Sequence, residues 1–156
     1  MPFAGGVGMP QSLARVLVHL VFSTKNREPC IAAAFRPSLH EYLGGILDTL
    51  GCAPLTVGGT ADHVHILCSL SRTRTIATVV EETKKGSSKW MKRQGLRDFW
   101  WQAGYGAFSV AQSQVAPVSR YIARQEAHHR VYSFQEEFRQ LLARYQLPFD
   151  ERYVWD

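Results

Sequence analysis

The sequence predicts an α+β protein of the split β-α-β, ferredoxin-like kind, an antiparallel sheet with helices packed on one face. The spacing of apolar residues alternates between strand and helix periods in the order strand, helix, strand, strand, helix, strand, helix, helix. The second and third strands are separated by only Thr60, Ala61 and Asp62, which makes them a hairpin. A length of 156 residues with 46% hydrophobic content is enough for one well-buried core and argues against two independent units.

Residues 1–10, MPFAGGVGMP, are broken by Gly and Pro and are expected to form a flexible tail, leaving 11–156 as a single domain. The run ARVLVHLVFST, Ala14 to Thr24, is rich in Val and Leu and reads as a buried first strand, ended by Lys25 to Pro29. Phe35, Leu39, Leu43, Ile46, Leu47 and Leu50 repeat at helical spacing, and Gly51 stops that helix. PLTVGG and HVHILCSL are the hairpin strands. A second helix is expected from about Thr75 to Arg93, with Ile76, Val79, Val80 and Trp90 inward. The aromatic, Gly-punctuated segment from Phe99 suits a loop feeding a last strand at Ala107 to Val110. Ser113 then opens a helix with Pro117 near its first turn, carrying VSRYIARQEAHHR. A final amphipathic helix, Phe134 to Tyr145, aligns Phe138, Leu141, Leu142 and Tyr145 on one side.

Lys and Arg number 18 against 13 Asp and Glu, a formal charge of +5 that favours a polyanionic partner such as nucleic acid. Cys30, Cys52 and Cys68 are odd in number and widely spaced, so neither a disulfide framework nor a zinc knuckle is indicated, and a reducing cytoplasm fits. No signal-peptide pattern and no bilayer-length apolar run is present, so a cytoplasmic protein with no membrane partner is expected.

His63 and His65 are two apart in a strand, so both imidazoles leave one face while Val64 and Ile66 leave the other. Such a pair can chelate a divalent cation if a third ligand arrives from elsewhere, although H-x-H also arises by chance in strands. Tyr121 and Gln125 are four apart in a helix and share a face. Alone they read as a core phenol and a solvated amide. Together with two histidines they suit phosphoryl transfer from a DNA phosphodiester to a phenol, in which neutral ligands leave the cation its full charge.

A-D-H-V-H-I-L at 61–67 with Y-I-A-R-Q at 121–125 resembles the HUH single-tyrosine transposases of small insertion sequences. GYGAFSVAQSQ at 104–114 and the EAHHR after Gln125 are similar to the branch that includes the REP-associated tyrosine transposases. The resemblance runs from Ala14 to the C-terminus. It implies an HUH endonuclease-like fold, Tyr121 as nucleophile, and His63, His65 and Gln125 as ligands of magnesium or manganese. It further implies single-stranded, hairpin-forming DNA as substrate and a homodimer in which one subunit's tyrosine helix can complete the other's site.

Lys84, Lys85, Lys89, Lys92 and Arg93 cluster on the second helix and are candidates for phosphate contact, with Trp90 or the Phe99, Trp100, Trp101 group for base stacking; a solvated face and core aromatics are the plainer reading. His128 and His129 either approach the metal or scissile phosphate, or sit at a helix C-terminus. His19 reads as a satisfied interior residue. Cys68, at an odd offset from His65, should face away from the histidines. The competing functions are an inactive DNA-binding module of the same fold, a metal-dependent nuclease using water, and a structural metal site, the last disfavoured by the lack of suitably spaced sulfur.

Overall fold

In the computed structural model, which describes residues 10–156, strands Val16–Ser23 (β1), Pro54–Gly59 (β2), His63–Leu70 (β3) and Gly106–Val110 (β4) form one sheet in the order β2-β3-β1-β4. Every neighbouring pair is antiparallel. Five α-helices accompany it: Arg36–Thr49 (α1), Ile76–Arg93 (α2), Val115–Ala123 (α3), Gln125–His128 (α4) and Phe134–Arg144 (α5). The α+β, split β-α-β architecture is the expected one. The expected N-terminal tail lies outside the described residues except for Pro10.

The helices are divided between the two faces rather than gathered on one. Val18, Leu20 and Phe22 of β1 and Val64, Ile66 and Cys68 of β3 pack under Leu39, Leu43 and Leu47 of α1 and Val79, Val80 and Met91 of α2. On the opposite face Leu17, Val21, Leu67, Phe108 and Val110 meet Ile122 of α3 and Phe134, Phe138, Leu141 and Leu142 of α5. The physical reason is legible in β1. A strand with one wet face alternates polar and apolar residues, whereas seven consecutive residues of β1 are buried and so require cover on both sides.

Local signals set the helix ends. The Thr75 side chain accepts a hydrogen bond from the Thr78 N–H at the start of α2. Ser133 and Glu136 form a reciprocal capping box that starts α5. The helix expected to run unbroken through Tyr121 and the two histidines instead breaks at Arg124 (φ −102°, ψ 21°), separating α3 from α4. Gln125 is nevertheless turned inward and only 1% exposed. Among the described residues no helix is long and apolar enough to cross a membrane.

Gly58 sets the height of α3 above the sheet. A Cβ built there would stand 2.4 Å from the Ile122 carbonyl oxygen, so only a residue without a side chain lets the helix backbone lie directly on β2, beside its strand partner His65. Gly106 admits α5 likewise, since its Cβ would meet Phe138 at 2.6 Å. Gly58→Ala is expected to cost about 1–3 kcal/mol by overpacking, lowering Tm by roughly 2–4 °C per kcal/mol. Gly45→Ala, on the exposed side of α1 with nothing within 4 Å of the added carbon, is the control and should stabilise slightly. Thermal unfolding of both variants is the check, and a silent Gly58→Ala would contradict the close approach.

Candidate active site

Strand alternation sends His63 and His65 out of the sheet side by side, their ring centroids 5.1 Å apart and both rings fully buried. Each ring is held from behind. The Nδ1–H of His63 donates to Asp62 Oδ1 at 2.6 Å, with Thr60 Oγ1 at 3.0 Å. His65 Nδ1 stands 2.8 Å from His19 Nε2, so the interior histidine of β1 is satisfied by orienting its neighbour. Partners of this sort fix the tautomer and aim of a ligand histidine, leaving Nε2 to face the site.

The break at Arg124 brings Gln125 Oε1 to 3.0 Å from His63 Nε2. Tyr121 stands edge-on to His65, with centroids 5.6 Å apart. The four residues singled out in the sequence therefore meet in space. The structure adds a fifth, Glu137 of α5, only 1% exposed. Its Oε1 lies 2.8 Å from His65 Nε2, 3.2 Å from His129 Nε2 and 3.5 Å from His63 Nε2. Its Oε2 accepts a hydrogen bond from the Tyr121 hydroxyl. His128 Nε2 is 3.2 Å from the same oxygen but is not aligned to donate to it. His129 stands among the ligand atoms themselves, 3.0 Å from Gln125 Oε1.

Burial, then the neighbouring His65, holds the His19 imidazole down at about 3. Burial likewise lowers His65 to about 4, against the opposing pull of Glu137. Burial opposes the charge on Glu137 but is outweighed by hydrogen bonds with His129 and His65, and the carboxyl is held far below its usual range. His129 is raised: burial works against its charge, and the hydrogen bond and charge of Glu137 prevail. Burial, followed by the Glu137 charge, pushes the Tyr121 phenol well above its ordinary value, so it is protonated and donates.

The set fits a divalent cation. With Nδ1 of His63 donating to Asp62, its Nε2 carries a lone pair, and it faces Gln125 Oε1 at 3.0 Å and Glu137 Oε1 at 3.5 Å, two more acceptors. Nitrogen and oxygen atoms that converge in this way are a ligand set a divalent cation can occupy. His63, His65, His129 and Glu137 each offer a ligand atom within 4.8 Å of the others. Glu137, a carboxylate, is not among the ligands that the sequence reading names. Its signal lay in α5, where Glu137 sits on the buried stripe, three residues after Phe134 and four before Leu141.

The basic helix is only partly available to a partner. Lys84, expected to contact DNA, instead donates to the carbonyls of Gln102, Ala103 and Gly104 at 2.6–3.3 Å, and burial lowers it to about 8. Arg93 turns toward the Tyr42 hydroxyl of α1 at 3.3 Å. Lys85, Lys89 and Lys92 line a groove of about 450 Å³ with Trp100 and Tyr105. Phe99 and Trp101 are core residues, Trp101 donating to Ser87 Oγ at 2.9 Å. Trp90 stacks on Tyr42. Trp100 is 59% exposed, with Lys92 Nζ 4.0 Å from its ring centre.

A four-stranded antiparallel sheet presenting a histidine pair to a tyrosine-bearing helix defines the fold of the HUH tyrosine transposases. The IS200-like transposase family matches residues 12–125, and the chain belongs to that family. No curated protein is matched. Two solved structures share the fold. One is a candidate transposase from Deinococcus radiodurans R1, at 21% identity over 76% of this chain and 96% of that one, with TM-score 0.59. The other is a REP-associated tyrosine transposase bound to a REP hairpin, at 12% identity over 80% of this chain and 74% of that one, with TM-score 0.58. The family match ends at Gln125, so Glu137 lies beyond it.

The buried histidines make the metal-free protein acid-sensitive. Unfolded, His19 and His65 take up protons near 6.5; folded, only near about 3 and about 4. Protons therefore favour the unfolded chain below 6.5, and stability falls as pH drops toward 4, with raised His129 offsetting part of the loss. Thermal unfolding in chelator should show Tm lower by roughly 5–10 °C at pH 5 than at pH 7.5. An unchanged Tm would contradict neutral buried rings.

Proposed function

We propose that the chain, as a single domain over residues 11–156, cleaves single-stranded, hairpin-forming DNA and transfers the cut strand through a covalent phosphotyrosine on Tyr121. The observation that carries this reading is the placement of the Tyr121 hydroxyl at the edge of the convergent set of His63, His65, Gln125 and Glu137. The same set makes a DNA-binding module without chemistry the weaker reading, since phosphate contact alone needs no converging buried acceptors.

The Tyr121 oxygen attacks phosphorus, forming the tyrosyl ester as the bond from phosphorus to a deoxyribose oxygen breaks. That oxygen takes up a proton, balancing the one that the Tyr121 hydroxyl loses on attack, and leaves as a free hydroxyl end. The ester conserves the phosphodiester's energy, so rejoining needs no nucleotide cofactor. A bound magnesium or manganese ion would supply the positive charge that polarises the phosphate. Asp62 and His19 orient His63 and His65 for that ligation. Tyr121 is reached through a cavity of about 240 Å³ that Gln114, Gln140 and Arg144 also line, which gives an entering phosphate a guanidinium partner.

The groove of Lys85, Lys89, Lys92 and Trp100 suits the flanking strand, lysines tracking phosphates and the exposed indole stacking on a base. The tyrosine helix reaches the histidines of its own chain, which supports a site built within one subunit of the homodimer. Action on DNA in the cytoplasm is part of the same reading.

Incubation with labelled single-stranded hairpin DNAs and manganese should give a protein-bound label on denaturing electrophoresis. Tyr121→Phe and chelator should each abolish it. Cleavage persisting in Tyr121→Phe would mean attack by water, and DNA bound without adduct would mean a module lacking chemistry. Replacing Lys85, Lys89 and Lys92 by Ala should lower the slope of log K against log salt by about 2, given roughly 0.7 per single-strand phosphate contact. An unchanged slope would place the strand elsewhere.

A further inference from the structure

Glu137 is the one buried carboxylate at the site, and nothing in the tyrosine-histidine motif calls for it. Its side chain is 2% exposed, and among the described residues its charged partners are histidines, with no Lys or Arg. A carboxylate taken out of water without such a cation is costly unless other groups share its charge. Its two oxygens face different groups. Oε1 points at Nε2 of His65, His129 and His63, and Oε2 is held by the Tyr121 hydroxyl.

We propose that Glu137 is a bridging carboxylate, its Oε1 completing the cation's ligand set with His63, His65 and Gln125 while its Oε2 holds the Tyr121 hydroxyl and positions it for attack. This deepens the reading of Tyr121 as nucleophile and rests on it. Hard divalent cations such as magnesium and manganese favour carboxylate oxygen, and neutral imidazoles with one amide form a weaker set for them. A single planar group spanning both partners also makes occupancy of the metal site and the setting of the phenol one linked equilibrium.

Manganese binding, followed by the electron paramagnetic resonance signal of the free ion, should be at least tenfold weaker for Glu137→Gln than for the wild type. Circular dichroism establishes that the variant is folded. Wild-type protein carrying ¹³C at its glutamate carboxyls and tyrosine Cζ gives a second measurement, in which a variant serves only for assignment. There, substoichiometric manganese should broaden one buried glutamate resonance before the exposed ones, and magnesium should shift the Tyr121 ring Cζ signal, which Tyr121→Phe identifies. Glu137→Gln binding manganese within twofold of wild type, or a Tyr121 signal indifferent to magnesium in wild-type protein that binds it, would overturn the bridge. Wild-type protein that binds neither ion would overturn the metal reading beneath it as well, which separates the two failures.

Discussion

An ionised carboxylate in a protein interior must be surrounded by groups that share its charge, and this demand organises one whole face of the sheet. Glu137 draws contacts from β3 through His63 and His65, from α3 through Tyr121, and from α4 and its end through His128 and His129. Three elements, β3, α3 and α4, therefore converge on one side chain of α5. The apolar packing beneath them cannot do this, because burial is non-directional and tolerates a shift that hydrogen bonds do not. Phe134, Phe138, Leu141 and Leu142 bring α5 to the sheet, and Glu137 on the same helix meets the histidines there.

The two faces of the sheet consequently do different work. Beneath α1 and α2 the contacts are apolar, apart from Ser87 and Thr83 of α2. Beneath α3, α4 and α5 a polar island of buried histidines, amide and carboxylate interrupts the apolar clusters. Buried polar networks are stabilising only when every member is satisfied. Here Asp62 and His19 satisfy the outer nitrogens, while the inner nitrogens of His63 and His65 turn toward Gln125 and Glu137. Such an arrangement holds in the folded chain because the rest of the core holds it, which is how preorganised sites come to sit on rigid elements.

What the sequence disclosed was whatever a repeat period or a short spacing encodes. Alternation in HVHILCSL places His63 and His65 on one face and Cys68 on the other, and the structure has them so. The spacing of Tyr121 and Gln125 indicates a shared helix face, and the two do converge despite the break at Arg124. Glu137 was hidden because a glutamate beside Glu136 at the start of a helix ordinarily faces water and complements the helix dipole. The same helix-end logic made His129 look like a cap. Lys84 reads as part of a charged face, and only the path of the loop at 102–104 turns its ammonium inward.

The location of Glu137 on α5 has a consequence for how the site is assembled. Residues 12–125 carry the family match and supply both histidines, the tyrosine and the glutamine, yet the carboxylate comes from a helix that follows. That helix is tied to the sheet by its aromatic face, through Phe108 and Phe134 to Phe138, and Trp155 near the C-terminus packs on the same Phe138. Arg139 in turn pairs with Glu151, and the Gly104 N–H donates to the Asp156 carbonyl at 2.7 Å, fastening the last turn beside β4. The position of one buried oxygen at the ligand cluster thus depends on packing that extends to the last residue. Trp155 and Glu151 are thereby connected to the site through α5, the helix that carries Glu137.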